Sequence, residues 1–424
     1  MLTNLAIGIS SLFYGYFIIE ILLINHYRVP KRSMTKGKQP YQLYLVIPVL
    51  NEERVITKTI TQLSQQLAQL PSTITAQIIA VDDDSHDHSL ALLATSPSPY
   101  LQVLHRAGNK RQGKGAVINT AIDYLQHTLA KQVAPNQAIV GILDADAFMT
   151  SQALTQVVAH FEHDPQLAML QTGVTIYNQT NWLARMQNFE FMGVNSATQQ
   201  LRSRLGQCIA SGNGQFVSLA LAEQNPWGNS LLEDLEFTLR TWLLGGKVDF
   251  LPTQVVQQEA VTQLRPFFNQ RVRWCQGALQ CMSYLPALWQ SKNVNWFQRF
   301  DTTFWILMPI TGCIVPITSL VALVNLTTRS LSNWNQGWHH LAILTVISIA
   351  LLACGALALL LHRNSSLAQL PTTFGQTLSD SISFQAYLLI IALTPYAAIT
   401  RQLLGQTNWT KTRHLSYARL KRSY

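Results

Sequence analysis

Residues 77 to 84 read QIIAVDDD, an apolar strand that runs directly into three consecutive aspartates. Tyr44 to Leu50 is a similar apolar run, and a polar, glutamine-rich helical stretch from Glu52 to Leu70 separates the two. Ile139 to Leu143 is a third run, and Asp144 follows it at once. Short apolar runs that alternate with helices of this length predict a parallel sheet with crossover helices. The sequence therefore predicts an α/β domain with acidic side chains at the carboxyl ends of strands, where open α/β sheets bind ligands.

The composition narrows the class of protein. Of the 424 residues, 48% are hydrophobic and only 12% are charged, whereas an average soluble domain has about 25% charged residues. The net charge of +9 would suit a nucleic-acid-binding protein, but such proteins are not normally so poor in charge. The composition excludes disorder, and the length allows roughly two to three domains. The five cysteines show no CxxC pair or metal-type spacing, so neither a disulfide framework nor a zinc site is indicated.

The shortage of charged residues is greatest near the carboxyl end, where only five of the 104 residues from Asp301 to Leu404 are charged. Three runs in this part reach the length that a membrane-spanning helix needs: Phe304 to Leu326, Leu341 to Leu361, and Phe384 to about Leu404. A fourth apolar run, Leu2 to Ile24, is interrupted only by Glu20. It lacks the basic start and the cleavage site of a signal peptide, and therefore predicts a retained membrane helix.

These runs divide the chain into five predicted segments: an amino-terminal transmembrane helix (1–27), a cytoplasmic α/β domain (40–275), an interfacial helix in the membrane plane (276–300), a transmembrane block of about three helices (301–405) and a basic tail (406–424). The stretches 28–38 and 405–424 hold ten Lys and Arg residues and no acidic residue. Basic residues after the first span place the α/β domain in the cytoplasm. The basic tail also favours the cytoplasmic side. Three spans after a cytoplasmic domain would instead place the tail outside, so the predicted number of spans is good to about one. We expect a multi-pass protein of the cell membrane that contacts membrane lipid and no nucleic acid.

Three motifs in the α/β domain carry possible chemistry. The three aspartates of residues 82–84 repel one another, which a protein tolerates when they bind a ligand or face solvent. In Asp144-Ala145-Asp146 the two carboxylates can share a hard divalent cation with a pyrophosphate. The turn Gly113-Lys114-Gly115-Ala116 is basic and precedes a helix that starts near Val117. It lacks the glycine spacing and the Ser or Thr of a P-loop.

Three further motifs follow: Gly212-Asn213-Gly214, Leu232-Glu233-Asp234 and Gln270-Arg271-Val272-Arg273-Trp274. Taken alone, the last would suit a helix with a packed tryptophan and two arginines on lipid headgroups. Taken together, the order and spacing of these motifs and the earlier aspartates resemble the processive, membrane-embedded family-2 glycosyltransferases, which include the cellulose, chitin and hyaluronan synthases. In size and layout the chain looks most similar to the bacterial poly-β-1,6-N-acetylglucosamine synthases. Two positions depart from the family pattern: Asp84 stands where Gly is common, and Leu232 stands where many members have Thr.

The resemblance implies a GT-A (Rossmann-like) glycosyltransferase domain inserted between transmembrane helices. It implies transfer with inversion from a UDP-sugar, UDP-GlcNAc or UDP-Glc, to a growing polysaccharide that crosses the membrane. The implied general base is Asp234, and the implied ligands of Mg²⁺ or Mn²⁺ are Asp144 and Asp146. Residues implied to bind the nucleotide sugar are Pro48, Asn51, Glu52, Asp82, Asp83, Lys114, Asp144 and Arg273. Residues implied to contact the acceptor or product are Gly212, Asn213, Gly214, Glu233, Gln270 and Trp274.

Other functions stay open on the sequence alone. A nonprocessive transferase that glycosylates a membrane glycolipid would share every motif except, usually, the Gln270 to Trp274 motif, and product length would separate the two. A transporter would need more spans, and a dinucleotide oxidoreductase would need a GxGxxG after a strand. A small membrane accessory subunit is compatible with the family. Glu20 in the first apolar run is by default a functional-site hypothesis, but we favour a position at the interface or a pairing with a nearby arginine.

Overall fold

The computed structural model describes residues 2–26, 39–108, 112–129, 134–332, 338–368, 370 and 372–406. The basic stretch 28–38 and the tail 407–424, on which the predicted topology depends, lie outside these residues.

The strands are β1 (Tyr41–Val49), β2 (Ile74–Asp82), β3 (Leu101–His105), β4 (Ala138–Ile142), β5 (Leu167–Ile176), β6 (Gln215–Ser218) and β7 (Lys247–Gln258). The helices of the first half are α1 (Leu2–His26), α2 (Ile56–Leu67), α3 (Ser89–Ala94), α4 (Lys114–Tyr124), α5 (Ser151–His163), α6 (Trp182–Asn188) and α7 (Ser196–Leu205). Those of the second half are α8 (Leu219–Gln224), α9 (Glu233–Leu243), α10 (Leu264–Gln280), α11 (Leu285–Gln290), α12 (Trp296–Ile306), α13 (Met308–Ser332), α14 (Trp338–Leu367), α15 (Phe374–Ile391) and α16 (Thr394–Leu403).

The strands form one seven-stranded sheet in the order β3-β2-β1-β4-β6-β5-β7. Strands β1 to β4 run parallel to their neighbours among themselves, and β5 runs parallel to β7. Strand β6 is antiparallel to both β4 and β5. The three strands predicted from the sequence are β1, β2 and β4, each within three residues of the predicted bounds. The predicted parallel sheet is therefore confirmed for β1 to β4, and β6 is the exception.

Both faces of the sheet are buried, because helices cover each side. Alternate residues of β1 point to opposite faces: Val46 packs in the cluster that includes Val117 of α4, and Leu45 packs in the cluster that includes Leu63 of α2. Helix α9 contributes Leu235 to the first of these clusters. The core thus fixes α4 and α9 on one face, and their first residues meet the carboxyl edge of the parallel strands.

The interfacial helix predicted over 276–300 is not a single helix. Helix α10 extends to Gln280, a 3₁₀ turn follows, and α11 and α12 are separate helices. Pro286 lies in the first turn of α11, where its missing N–H is not needed. Asn295 and Gln298 form a reciprocal capping box that begins α12. These local start signals divide the segment, and Trp289 and Trp296 within it are exposed.

Two helical stretches within the described residues are long and apolar enough to cross a membrane, Met308–Asn325 and Phe374–Leu403, and Leu12–Ile24 is a shorter apolar helix. The last predicted run, Phe384 to Leu404, is not one helix but the end of α15 and all of α16. Pro395 in the first turn of α16 marks that division. The two candidate spans are fewer than the four apolar runs of the sequence, and the multi-pass arrangement stays a prediction.

A polar cluster connects α1 to the α/β domain. The Thr198 hydroxyl donates a hydrogen bond of 2.7 Å to Glu20 Oε1, and Arg202 lies within electrostatic range of Glu20. The Arg202 guanidinium also forms a buried ion pair of 2.8 Å with Asp301, whose Oδ1 accepts a 2.7 Å hydrogen bond from Tyr16. Glu20 therefore hydrogen-bonds to α7, and Arg202 of the same helix lies near it.

Candidate active site

The carboxyl end of β2 places Asp82 and Asp83 beside the end of β1, where Val49 pairs with Asp82. The Asp82 side chain is fully buried; its Oδ2 lies 3.0 Å from His105 Nδ1 and accepts a hydrogen bond from Ser85 N. Among the described residues, no group hydrogen-bonds to Asp82 Oδ1, which is also buried. Asp83 instead forms an ion pair with Arg106. The two neighbouring aspartates thus have different surroundings, and Asp82 retains an available acceptor.

The turns after β1 and β2 hold each other in place. Asn51 and Asp84 have φ angles of 52° and 59°, in the left-handed region that Asn and Asp tolerate better than most residues. Asn51 N donates to Ser85 Oγ, and Asn51 Oδ1 accepts from His86 N at 2.7 Å. The conformation of Asp84 accounts for the glycine that is common there in the family, since Gly adopts positive φ without strain.

Two more residues that are predicted to bind the nucleotide sugar lie in the same region. Pro48 is half-buried near the end of β1 and pairs with Val81 of β2. Glu52 follows β1, and its backbone N–H donates to Ser89 Oγ at 2.6 Å. The structure therefore brings Pro48, Glu52 and the turns described above to one end of the sheet.

Lys114 joins three of the predicted motifs. As the first residue of α4, it follows Gly113, whose φ of 90° turns the chain into the helix. Its Nζ donates to Asp144 Oδ1 at 2.5 Å and to the Gly212 carbonyl at 3.2 Å, and lies 3.9 Å from Glu233 Oε1. Burial lowers the pKa of the Lys114 ammonium, but Asp144 and Glu233 outweigh that effect and hold the pKa above its usual value. The ammonium therefore remains charged.

Asp144 and Asp146 follow β4 and differ in exposure. The Asp144 side chain is 40% exposed, whereas Asp146 is buried and its Oδ2 accepts a hydrogen bond from Glu259 N at 2.8 Å. No group of three or more His, Cys, Asp or Glu residues in the described part of the chain forms a complete metal cage. Mg²⁺ is usually held by one or two carboxylates plus substrate phosphates and waters. The carboxylate oxygens of Asp144 and Asp146 are hard ligands, and the Asp144 carboxylate is open to solvent, so the pair fits that mode of binding.

The glycine loop 212–214 connects the Asp144 side of the site to Asp234. Gly212 and Gly214 have φ angles of 71° and 70°. A Cβ on Gly212 would lie 3.1 Å from Asp234 Oδ2. Asn213 Oδ1 accepts a hydrogen bond from Asp144 N at 3.2 Å. Glycine is required here both for the conformation and for the close approach to the carboxylate.

Asp234, the predicted general base, lies in the first turn of α9 and is 8% exposed. Burial and the neighbouring carboxylate of Glu233 raise its pKa to about 7, against the opposing effects of the Leu235 N–H and Lys114. Leu235 N donates to Asp234 Oδ1 at 2.8 Å. Asp234 Oδ2, the oxygen that faces the glycine loop, is the one placed to accept a proton. A carboxylate with a pKa near neutrality is matched to that task.

The last motif lies on α10, where Gln270, Arg273 and Trp274 share one helical face by their i, i+3, i+4 spacing. Burial lowers the pKa of Arg273, and the carboxylates of Glu233, Asp144 and Asp234 oppose that effect. Arg273 is therefore close enough to those carboxylates to interact with them. Within the described part of the chain, Gln270 Oε1 is buried without a hydrogen-bond partner.

Sequence reasoning missed several residues of this region. Arg106, which pairs with Asp83, follows β3 without any motif that would identify it. Glu259 is an acidic residue directly after β7, the same signal that identified Asp82, and could have been found in that way. It hydrogen-bonds to Tyr177, and Lys58 Nζ lies 4.7 Å from the centre of the Tyr177 ring.

Comparison with profiles of known protein families shows the family to which the chain belongs. The profile of the family described as "Glycosyl transferase family group 2" matches residues 139–362, more than half of the chain. The chain belongs to glycosyl transferase family group 2. The profile "Glycosyl transferase family 2" also matches residues 44–219 of this glycosyltransferase. The two matches together cover every predicted site residue.

Curated relatives differ in how much of this glycosyltransferase they match. The β-monoglucosyldiacylglycerol synthase of Synechocystis sp. is 28% identical over 392 residues, which is 88% of this chain and 75% of the relative. The synthase of the same name from Nostoc sp. is 28% identical over 69% of this chain, and the match spans 60% of the relative's own length. The poly-β-1,6-N-acetyl-D-glucosamine synthase of Staphylococcus aureus is 25% identical over 163 residues, 36% of this chain and 40% of the relative. The similarity to the polymer synthase thus covers a smaller part of the chain than the sequence motifs suggest.

A solved structure shows the same fold. The mannosyltransferase of Pyrobaculum calidifontis, in complex with GDP-Man and Mn²⁺, superposes with a TM-score of 0.59 at 15% identity and covers 92% of this chain and 99% of that one. The α/β domain of this glycosyltransferase therefore has the GT-A, Rossmann-like fold, as predicted.

Proposed function

We propose that this glycosyltransferase transfers glucose from UDP-glucose to the free hydroxyl of a diacylglycerol in the membrane, with inversion, to give a β-linked monoglucosyl lipid. The observation that carries the inverting reaction is the placement of Asp234 Oδ2 against the glycine loop beside Asp144. Support for the acceptor comes from the β-monoglucosyldiacylglycerol synthases, whose similarity extends over up to 88% of this chain. The proposal follows the alternative interpretation of the sequence, a nonprocessive transferase that acts on a membrane glycolipid, except that a diacylglycerol carries no sugar before the reaction.

On the donor side, Asp82 Oδ1 is an acceptor for an N–H of the nucleobase, and Pro48, Asn51 and Glu52 line the nucleoside. Asp144 and Asp146 would hold Mg²⁺ or Mn²⁺, which supplies positive charge to the pyrophosphate. Support for a metal comes from the carboxylate pair itself and from the Mn²⁺ in the similarly folded mannosyltransferase. Lys114 and Arg273 add fixed positive charge toward the same leaving group.

In the chemical step, the acceptor hydroxyl oxygen attacks the anomeric carbon from the face opposite the nucleotide. The new bond joins that oxygen to the carbon, while the bond between the carbon and the phosphate oxygen breaks. The electron pair of the broken bond stays on the departing diphosphate. Asp234 takes the hydroxyl proton, and such positioned proton transfer contributes typically about 10²- to 10⁴-fold to a rate.

On the acceptor side, the glycines at 212 and 214 let the backbone approach the incoming group closely. Trp274 offers an apolar face, and Gln270, Asn213 and Glu233 supply polar contacts. A diacylglycerol is confined to the membrane, so this face of the domain must meet the lipid surface. We therefore retain the membrane arrangement as part of the proposal, with α1, α13, α14 and the α15–α16 pair in the bilayer and the catalytic domain in the cytoplasm, where UDP-glucose is available.

A polysaccharide synthase is the second candidate. The Gln270-x-x-Arg273-Trp274 motif favours it, since simpler members of the family usually lack that motif. The narrower match to the poly-N-acetylglucosamine synthase, 36% of the chain, weighs against it.

One experiment separates these candidates. Purified full-length protein in detergent is incubated with Mn²⁺, diacylglycerol and radiolabelled UDP-glucose or UDP-N-acetylglucosamine, and the products are resolved by thin-layer chromatography and by size exclusion. We expect a single labelled glucolipid that β-glucosidase cleaves and α-glucosidase does not. The Asp234→Asn variant is the matched control and is expected to form no product. A labelled polymer, or a product that only α-glucosidase cleaves, would refute the proposal.

A further inference from the structure

The motif on α10 contains a second arginine whose position no catalytic role explains. The Arg271 side chain is 4% exposed and forms an ion pair of 2.6 Å with Glu190. The same Nη2 donates to the hydroxyl of Tyr387 at 2.9 Å, and that hydroxyl in turn donates to Glu190. Three segments far apart in the chain therefore meet at one guanidinium: α10, the π-helix Phe189–Asn195 and α15.

Aromatic rings enclose the same guanidinium. Its central carbon lies 4.1 Å from the centre of the Trp274 ring, 4.9 Å from that of Phe267 and 5.8 Å from that of Phe191. The Phe191 ring also meets Trp274 edge-on, with ring centres 6.3 Å apart. A cation over an aromatic face is attracted to it, most strongly when the pair is shielded from water. Arg271 and Phe191 therefore set the orientation of Trp274.

The π-helix that supplies Glu190 and Phe191 is itself held from the carboxyl-terminal helices. Asn364 of α14 is buried, and its Nδ2 donates to the carbonyls of Met192 at 2.8 Å and Gly193 at 3.2 Å. Its Oδ1 accepts a hydrogen bond from Gln200 of α7. A π-helix leaves carbonyls out of the ordinary helical ladder, and such segments are frequent at functional sites. Helices α14 and α15 thus contact α10 through the side chains of one irregular segment.

We infer that Arg271 is a positioning residue, which sets the Trp274 side chain of α10 and links its placement to helices α14 and α15. The inference rests on the proposed function, because it takes Trp274 to face the acceptor. Lysine cannot replace this arginine, since a compact ammonium cannot bind Glu190, bind Tyr387 and stack on Trp274 at the same time. An acceptor held by misplaced side chains reacts slowly even when the donor still binds.

The chain provides a matched control for a purely structural effect. Arg202, Asp301 and Tyr16 form a similar arrangement, in which the arginine and the tyrosine hydroxyl both donate to one carboxylate. The Arg202 and Asp301 side chains are 7% and 6% exposed, comparable to Arg271 at 4%. This second arrangement joins α1, α7 and α12, and among the described residues the ring contacts of Trp274 are with Phe191 and Arg271 instead. Any loss of activity caused by general destabilisation will affect both arrangements.

The test compares Arg271→Lys and Tyr387→Phe with Arg202→Lys and Tyr16→Phe in full-length protein, using UDP-glucose and diacylglycerol. For Arg271→Lys we expect kcat to fall about tenfold or more while KM for UDP-glucose stays within about twofold. Tyr387→Phe is expected to show a smaller loss of the same kind, and both controls to keep kcat within about twofold. A kcat unchanged in Arg271→Lys, or an equal loss in Arg202→Lys, would overturn the inference.

Hydrogen exchange provides a readout that does not depend on activity. The amides of α10 should exchange faster in Arg271→Lys and Tyr387→Phe than in the wild type, and at the wild-type rate in the two controls. Unchanged exchange in α10 would overturn the inference. If the wild type transfers no glucose to diacylglycerol, the proposed function fails, and the exchange of α10 still decides whether Arg271 positions this helix.

Discussion

Gly212 lies so close to Asp234 that a Cβ on the glycine would be 3.1 Å from the carboxylate oxygen Oδ2. The distance is shorter than most real Cβ contacts, and the φ of 71° disfavours any side chain in addition. We predict that Gly212→Ala lowers kcat for transfer at least about tenfold, because it displaces the carboxylate that accepts the proton. Calorimetry should show UDP binding nearly unchanged.

The control for Gly212→Ala is Gly108→Ala. Gly108 has a φ of 66°, and no atom of the described residues lies within 4 Å of where its Cβ would be, so this variant carries the backbone strain without the contact to a carboxylate. Its stability should fall by roughly 1 kcal/mol with activity retained. Equal losses of activity in the two variants would show that strain alone, and not the approach to Asp234, explains the effect.

The pKa of Asp234, raised to about 7 by burial and Glu233, predicts the pH dependence of the reaction. A general base works only when it is deprotonated, so kcat/KM, which reports the pKa of the free enzyme, should fall as the pH drops through about 7, with a slope of one. Initial rates between pH 5.5 and 9 with UDP-glucose and diacylglycerol well below saturation would measure this limb. A rate that stays flat from pH 8 down to pH 5.5 would exclude Asp234 as the base.

The raised pKa of Asp234 also predicts that the stability of the fold decreases as the pH rises, whereas the rate of transfer increases. Because the folded-state pKa lies above the unfolded value of 3.8, folding favours the protonated form, and this contribution is lost as the pH rises through 7. Asp234→Asn removes the buried negative charge and should therefore melt at a higher temperature than the wild type at pH 8. At pH 3.5 to 4 the difference should vanish. Thermal unfolding at both pH values measures it, and a variant that is less stable at pH 8 contradicts the assignment.

The contact between Lys114 and Asp144 predicts a loss of nucleotide binding. Lys114→Met removes the ammonium that lies 2.5 Å from Asp144 and 3.9 Å from Glu233. We expect the Kd for UDP with Mn²⁺ to rise about tenfold or more, since a charge aimed at a pyrophosphate is lost. Lys247→Met is the control: Lys247 pairs with Asp164 at an exposed position, where such pairs contribute only about 0–1 kcal/mol. An unchanged Kd in Lys114→Met would mean that this lysine is structural.

Removal of the metal should abolish the reaction. Asp144 and Asp146 provide two carboxylates and the described residues provide no complete cage, so the ion is expected to be held largely by the nucleotide and to exchange readily. EDTA should eliminate transfer and weaken UDP binding, and added Mn²⁺ or Mg²⁺ should restore both within minutes. Asp146→Ala should weaken binding of UDP in the presence of Mn²⁺ and change it little in its absence. Full activity in EDTA would contradict a metal at this pair.

The sequence predicted those parts of the molecule that depend on local pattern. The strands β1, β2 and β4 follow from short apolar runs, and Asp82 and Asp144 follow from their places directly after those runs. The parallel order then brings these residues together without further information. The sequence could not show which of Asp82 and Asp83 forms an ion pair with an arginine, because Arg106 reaches Asp83 only through the pairing of β2 with β3.

Two stretches predicted as single helices are divided in the structure, at points where local start signals compete with overall hydrophobicity. The segment 276–300 is amphipathic, but Pro286 and the capping box at Asn295 divide it into separate helices. In the same way Pro395 separates α15 from α16 within a run that reads as one span. Contacts such as Arg271 with Glu190 join residues 81 positions apart, and no spacing rule predicts them.

The attachment of α1 has a consequence for how the enzyme is handled. Tyr16 and Glu20 complete the hydrogen bonding of Asp301 and Thr198, so the first helix belongs to the packing of the catalytic unit. A shortened protein that starts after His26 would leave the Arg202–Asp301 pair open to water or detergent on one side. Soluble fragments of this glycosyltransferase should therefore be designed with substitutions at Arg202 and Asp301 together, since removal of one charge alone would leave the other buried and unpaired.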